Sequence, residues 1–408
     1  MKNNKLLASI FLIVFIDLLG FSLILPLLPY YAKTFHANGL VTGLLVASYA
    51  AAQLFGAPLL GRLSDRYGRR PILIVSIFGT LVGFLMLGFA RALWVLFASR
   101  IIDGITGGNL NVAQAYISDV TNVDNRAKGL GMIGAAFGLG FIIGPITGGL
   151  LSQWGFAVPA FSAAGLALIN LILVTAWLPE SLVAEKRSVM IDNRPTLSIS
   201  DMFKARHRPL TGSLLISRFF FGLAFAIFQT VFSLYALTRF NLSATQTGYV
   251  LTYVGVLSVI SQGYLVGRLI RLIRDDILIS ASVFAMTFCL LGWALAQSIP
   301  VLLIILAPTS LAGGLLNTLL SSSLTKTVAP QEIGGILGIT TSIDSLTRVF
   351  APALGGLLLV SLGSWAPGLF GAIVLAGLSV YVWNNILNHF TITTQPEIPV
   401  YQTIEIKE

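Results

Sequence analysis

Charge is what this sequence has least of. Only 10% of its 408 residues are Asp, Glu, Lys or Arg, and 56% are hydrophobic, where a soluble chain carries roughly a quarter charged residues. Its single cysteine, Cys289, excludes an internal disulfide, and His36, His207 and His389 are too scattered to form a metal cluster. No G-x-x-x-x-G-K-[ST] stretch occurs, which excludes a nucleotide-driven pump of the P-loop kind. No histidine within the apolar runs stands near a serine or cysteine, so an intramembrane enzyme lacks a visible nucleophile and base. We therefore expect no catalytic residue, no metal and no cofactor.

Long apolar runs take the place of the missing charge. Twelve are present, at 6–31, 39–60, 71–90, 93–119, 129–152, 157–178, 211–237, 246–267, 277–297, 300–325, 334–360 and 365–390. A bilayer-spanning helix needs about 20 such residues, and lipid forces a span to satisfy its own backbone as a helix. The expected fold class is an all-α polytopic membrane protein with twelve transmembrane helices. The opening MKNNKLLASIFLIVF resembles a signal peptide, but no small-residue cleavage site follows and the run continues past Asp17. It reads as an uncleaved first helix.

The few charges orient the spans. Connections after odd-numbered helices carry only Lys33, Arg91 and Arg239, while the even-numbered connections and both ends carry nineteen of the 25 basic residues. By the positive-inside rule both termini are cytoplasmic, in an inner or plasma membrane. The formal charge of +9 is then a membrane anchor, and lipid rather than nucleic acid is the expected surface partner.

Residues 179–210 break the pattern, with Pro179, Pro195, Pro209 and ten charged side chains at mid-chain. They read as a cytoplasmic linker between an N-terminal bundle, 1–178, and a C-terminal bundle, 211–390, followed by a cytoplasmic tail, 391–408. The halves repeat. Gly61-Arg62-Leu63 recurs at 267–269, GGNLN (107–111) recurs as GGLLN (313–317), and PITGGLL (145–151) recurs as PALGGLL (352–358). Six helices per half preserve membrane orientation, so the repeat is parallel, an architecture of transporters with a site between the bundles.

Four stretches carry a family resemblance. GRLSDRYGRRP (61–71) is similar, nearly position for position, to the loop between helices 2 and 3 of the major facilitator superfamily. DLLGFSLILPLLP (17–29), SRIIDGITGGNLNVAQAYISD (99–119) and GLGFIIGPITGGLL (138–151) resemble motifs of helices 1, 4 and 5 in its twelve-helix drug/proton antiporters. The chain as a whole resembles tetracycline-efflux proteins. Two positions depart: Asp103 stands where those relatives have an apolar residue, and Gly83 stands roughly where they carry an aspartate. Both weigh against tetracycline itself as the substrate.

The resemblance implies proton-coupled export of an amphipathic small molecule by alternating access, acting as a monomer. The alternative on the same scaffold is a proton-coupled carrier of a nutrient, siderophore or metabolite, including an importer. The resemblance further implies a conformational latch at Gly61, Asp65, Arg66, Gly68, Arg69, Arg70 and Asp119, holding the halves together when the path opens outward. From the residues alone, Gly68 suits a tight turn, Pro71 suits a first helical turn, and Asp65 suits the positive end of helix 11, near Gly334. A plain positive-inside anchor remains the other reading of the loop.

Within the spans lie Asp17, Asp103, Asp344, Arg100, Arg218 and Arg348. Each costs roughly 2.5–3.5 kcal/mol at the membrane centre on insertion scales, so each should face a partner or a cavity. Arg100–Asp103 and Asp344–Arg348 have the three- and four-residue spacings of same-helix pairs. Asp17 has no neighbour of opposite charge on its own helix and lies about 18 Å beyond Lys5. It is the first candidate for proton coupling, ahead of Asp103, Asp344 and Arg100, unless it pairs across helices, for example with Arg218. Arg100, Asp103, Gly107, Asn111 and Gln114 form a polar stripe on helix 4. Arg218, Gly222, Phe225, Gln229 and Phe232 share a face of helix 7, and Asn317, Arg348, Tyr249 and Tyr253 complete the expected substrate path. On helix 5, Gly134, Gly138, Gly140, Gly144, Gly148 and Gly149 with Pro145 read as a flexing, close-packed seam between the halves.

Overall fold

The computed structural model of the chain describes residues 2–121, 123–182, 209–328 and 332–387. Most of the expected linker and the whole expected tail lie outside the described residues. Numbered in chain order, α1 runs Lys2–Ile24 and continues through a tight turn into Leu28–Thr34; α2 is Gly39–Tyr67 and α3 Arg69–Gly88. The fourth crossing is broken into α4a, Leu93–Thr106, and α4b, Asn109–Val120. Then follow α5 (Val123–Leu151), α6 (Ala157–Trp177), α7 (Pro209–Phe240) and α8 (Ala244–Ile260, extended through a π turn to Leu272). The last four are α9 (Asp275–Leu295), α10 (Ile299–Lys326), α11 (Ile333–Ser361) and α12 (Ala366–Asn385).

Eleven of these crossings are single helices long and apolar enough to span a bilayer, and the broken fourth makes twelve. This is a multi-pass membrane protein. Local sequence sets the helix ends. Asn38 caps α2 by accepting from the Val41 amide at 2.9 Å, and Ser243 with Gln246 forms a reciprocal capping box at α8. Gly68 turns the chain between α2 and α3 at φ 106°, a conformation that strains any side chain.

The first six helices bury their own cores. One centres on Ile10, Leu73 and Tyr116, another on Leu45, Phe84 and Leu96. The last six share a continuous core around Trp293, Tyr235 and Phe228, whose rings meet edge to face or tilted. The halves touch along two seams, α2 on α11 and α5 on α8. Both seams are closed at the end far from the chain termini. A Cβ on Gly43 would collide with the Pro352 carbonyl, and one on Gly248 with the Pro145 carbonyl, so glycine is what lets these backbones touch. Side chains add to this distal closure: Thr252 Oγ1 donates to the Ile142 carbonyl at 3.0 Å, and Tyr30 Oη donates to the Leu242 carbonyl at 3.1 Å.

Toward the face that carries the termini the seams part. Gly138 still meets Val259, but Gly131 and Gly134 on α5, and Gly263 and Gly267 beyond them on α8, have open space where a Cβ would stand. Gly61 on α2 and Gly335 on α11 are likewise clear. The space between the halves therefore opens on the terminal face and is shut on the distal one.

Candidate functional site

The break in the fourth crossing organises the first half of the site. A broken helix in lipid strands backbone carbonyls, which must find other donors. Gln53 Nε2 on α2 donates to the Gly107 carbonyl at 2.7 Å, and Ser76 Oγ on α3 donates to the Thr106 carbonyl. The chain resumes at Asn109, whose Nδ2 donates to Asp17 Oδ1 at 2.7 Å. Asp17 is half-buried, held by a neutral amide, and forms no ion pair among the described residues.

The arginines are arranged differently from the spacing expectation. Arg100 and Asp103 do pair, Nη1 to Oδ2 at 3.2 Å, with both side chains almost wholly buried. Arg100 also lies over the Phe84 ring. Asp344, however, does not pair with Arg348. It takes Arg218 of α7 in a two-point fork, Nε to Oδ1 at 2.8 Å and Nη2 to Oδ2 at 2.6 Å. Approach from a crossing helix lets the planar guanidinium present two donors at once. Arg218 Nη1 further donates to the Asn317 carbonyl at 3.2 Å. Arg218 is thus Asp344's partner rather than that of Asp17. Arg348 is left exposed, with no ion-pair partner among the described residues. A mid-span arginine is tolerable where it meets water rather than lipid.

The expected path residues divide. Asn111, Gln114, Gln229 and Asn317 are exposed. Phe225 is half-buried, stacked on Phe221 and touching the Gly313 position of α10. Phe232 is a correction: it is 2% exposed and packed within the second-half core. Its face of α7 turns inward because the neighbouring Phe228 and Tyr235 join the Trp293 cluster. Tyr253 donates to the Leu303 carbonyl at 3.2 Å and Tyr249 is exposed.

Around the 61–71 loop, charge collects on Arg69. Its Nη1 donates to Asp65 Oδ1 at 2.5 Å and to Ser64 Oγ at 2.7 Å, and its Nε to Asp119 Oδ2 at 3.0 Å. Glu180 accepts from the Arg69 and Arg70 amides at the start of α3, a carboxylate at a helix N-terminus. Arg70 Nη2 reaches the Thr175 carbonyl, and Arg66 lies over Tyr67. These contacts tie the loop to α4b and to the end of α6, all in the first half.

The helix 5 glycines serve two neighbours. Gly140 and Gly144 pack on α1 at Leu18 and Ser22, where Ser22 Oγ donates to the Gly140 carbonyl at 2.7 Å; Gly148 meets Leu23. Gly149 and Pro145 face α8 of the other half. The seam between halves is therefore one face of the motif, and the other face fastens α5 to α1.

Sequence spacing missed Asn109, Tyr49, Gln53, Asn170 and Glu180. The GGN run at 107–109 was the available signal for the first, because two glycines ahead of an asparagine read as a helix break and restart. The π turn at Ser261–Leu265, which brings Gln262 against Gly314 of α10, leaves no local signature. One departure resolves in space: a Cβ at Gly83 would lie 3.0 Å from the Cβ of Asp103. The helix 3 position and the helix 4 acid are one place, entered from opposite sides.

The pattern that defines the Major Facilitator Superfamily matches residues 10–275 and 214–397. Tetracycline resistance protein, class H, of Pasteurella multocida is 34% identical over 360 residues, covering 86% of this chain and 88% of that protein. Multidrug resistance protein 2 of Bacillus subtilis is 29% identical over 374 residues, covering 91% and 93%. Among solved structures, a bacterial homologue of the human lysosomal transporter Spinster, inward-facing and occupied, superposes with a TM-score of 0.77 at 14% identity, covering 94% of this chain and 96% of that one. At that identity the likeness is one of fold.

Proposed function

The chain belongs to the Major Facilitator Superfamily, and from that membership we propose that this transporter exports an amphipathic organic molecule in exchange for protons. One observation carries the reading: of the three acids deep in the spans, Asp103 and Asp344 are each neutralised by an arginine, and Asp17, among the described residues, is held by an amide alone. An acid in low dielectric without a fixed counter-charge is the group suited to take up and give up a proton. The relatives named for tetracycline and multidrug resistance support export. Contact between Gly83 and Asp103 removes the argument against a tetracycline-like substrate, since the acid expected from one helix arrives from its neighbour.

In this reading both termini are cytoplasmic in a bacterial inner membrane, so the open face is the cytoplasmic one and the structure is the state that loads substrate for export. The monomer is the working unit. Substrate lies between the bundles, against Asn111, Gln114, Gln229 and Asn317. Arg348, the in-span cation without an acid among the described residues, meets a polar or anionic part of it. The 61–71 cluster latches the halves in the opposite state.

The test is purified protein in liposomes with an imposed pH gradient and a labelled panel that includes tetracycline. Uphill movement driven by the gradient is expected for wild type. Asp17→Asn should reduce accumulation to the passive level while substrate binding persists. Undiminished uphill transport by that variant would remove Asp17 from the coupling role.

A further inference from the structure

Asp17 borders a cavity of about 10 Å³ within the first bundle, walled by α1, α3, α4b and α6 and by no residue of the second half. That is room for about one water molecule. The walls are apolar except for three side chains, Asp17, Asn109 and Asn170. Asn170 is fully buried, and its Nδ2 donates to the Ile13 carbonyl at 3.1 Å. Its Oδ1 is buried without a donor among the described residues. Asn109 is in the same condition: Nδ2 is engaged by Asp17, and Oδ1 is buried without a donor. A buried amide oxygen left without a donor costs about 1–3 kcal/mol. Both such amides line the one cavity that Asp17 borders.

We propose that this cavity is a proton chamber, binding one water molecule that joins Asp17 to the amide oxygens of Asn109 and Asn170. It rests on the reading of Asp17 as the proton carrier and says where its proton waits. The hydrogen-bond balance is specific. When Asp17 carries its proton, one carboxyl oxygen accepts from Asn109 Nδ2 and the hydroxyl donates to the water. The water's two hydrogens then serve the two amide oxygens, and every group is met. When Asp17 is ionised, the water must turn one hydrogen to the carboxylate, and one amide oxygen loses its donor. On release the O–H bond of Asp17 breaks and its electron pair stays on the carboxylate; the water takes the proton and hands one on to solvent at the partly exposed side of Asp17, so that a neutral water remains in the chamber.

The charged and titratable groups facing Asp17 are Asp103, with its partner Arg100 on α4a, and Tyr49 on α2. The chamber residues of α3, α4b and α6 are neutral, and α5 meets α1 nearby through Gly140. Proton and substrate therefore occupy different spaces. Asn109 links them, because it opens the segment on which Asn111 and Gln114 are exposed. Asn109 and Asn170 are positioning residues, acting on the proton through the water.

Infrared titration of the protein in lipid tests this. A carboxylic-acid band is expected that Asp17→Asn removes. Asn170→Leu, which deletes one amide oxygen, should weaken proton binding at that band about tenfold, one pH unit in its midpoint. Asn170→Ser, a smaller change that keeps a folded variant in hand, should act in the same direction. A midpoint unmoved in both overturns the chamber, while loss of uphill transport in Asp17→Asn would still leave Asp17 the carrier. A midpoint that moves while Asp17→Asn transports uphill upholds the chamber and removes the coupling role. A midpoint that follows sodium concentration at fixed pH identifies a cation in place of water and overturns the proposal.

Discussion

Along each seam between the halves, the distal end and the terminal end are built from the same residue and behave in opposite ways. At the distal end Gly43 and Gly248 are pressed against carbonyls of Pro352 and Pro145, with no space for a methyl group. At the terminal end a Cβ on Gly61, Gly134, Gly263 or Gly335 would have no neighbour within 4 Å among the described residues. Packing in this one state explains the first set and gives no reason for the second. Gly61 lies eighteen residues after Gly43 in one helix, about five full turns, and so on the same face. Helix α11 runs the other way, and Gly335 lies near its start, nearly five turns back from Pro352. In the proposed export cycle the clear glycines would be the contact surface of a second arrangement in which the terminal face shuts. Small residues at both ends of a seam are what alternating access requires of rigid, close-packed halves.

The comparison breaks most visibly at Gly43. Gly43→Val would force a side chain into a backbone contact, where overpacking costs about 1–3 kcal/mol, roughly a 5- to 150-fold shift against distal closure. Transport should collapse, and a reporter cysteine at the distal end of the α2–α11 seam should become strongly reactive. Retained turnover with an unreactive reporter would mean the seam has slack that its glycine contacts do not suggest.

Gly61→Val sharpens the contrast from the other side. Nothing surrounds its Cβ position here, so unfolding stability should stay within about 0.5 kcal/mol of wild type. Turnover should nonetheless fall several-fold, with the terminal face trapped open, because the closed arrangement has no place for the added carbons. Full turnover would show that α2 and α11 do not meet at this depth.

Of these seams the helix 5 glycines were legible in the sequence; Gly43, Gly248 and the pairing of the helices were not. The spacing of hydrophobic runs placed twelve crossings because lipid leaves a span one backbone solution. Charge pairs were legible only where the partners share a helix and nothing better competes. Arg100–Asp103 fits that condition, with each side chain buried against the other. Asp344–Arg348 does not, because Arg218 comes from α7, and which helix crosses which is a property of packing rather than of spacing. The hold on Asp17 was missed for a related reason: it comes from Asn109, two residues off the stripe drawn on an unbroken helix 4, and the Gly107–Gly108 break resets the phase. Phe232 shows the opposite error, a residue on the expected face whose ring is captured by the Trp293 cluster.

The smallest expected effect lies at Asp65, where the two ends of the comparison meet electrostatics. In the present state its carboxylate is 4% exposed and bound to Arg69, which Asp119 also holds. Asp65→Asn leaves Arg69 with one carboxylate and keeps the side chain's size, so this state loses little. In the proposed closed arrangement, Asp65, one turn past Gly61, would stand opposite the first turn of α11, whose N-terminal end carries partial positive charge. Losing the carboxylate there removes roughly 1 kcal/mol from the closed state alone, about a fivefold shift toward the open terminal face. Labelling of a cysteine at the terminal end of the α2–α11 seam should rise by about that factor and turnover should fall. Substrate affinity should hold, since the path residues lie elsewhere. Asp119→Asn is the control, because it unloads Arg69 from the other side without facing α11, and its labelling should change less. Equal labelling in wild type, Asp65→Asn and Asp119→Asn, with turnover intact, would reduce the loop to a membrane anchor.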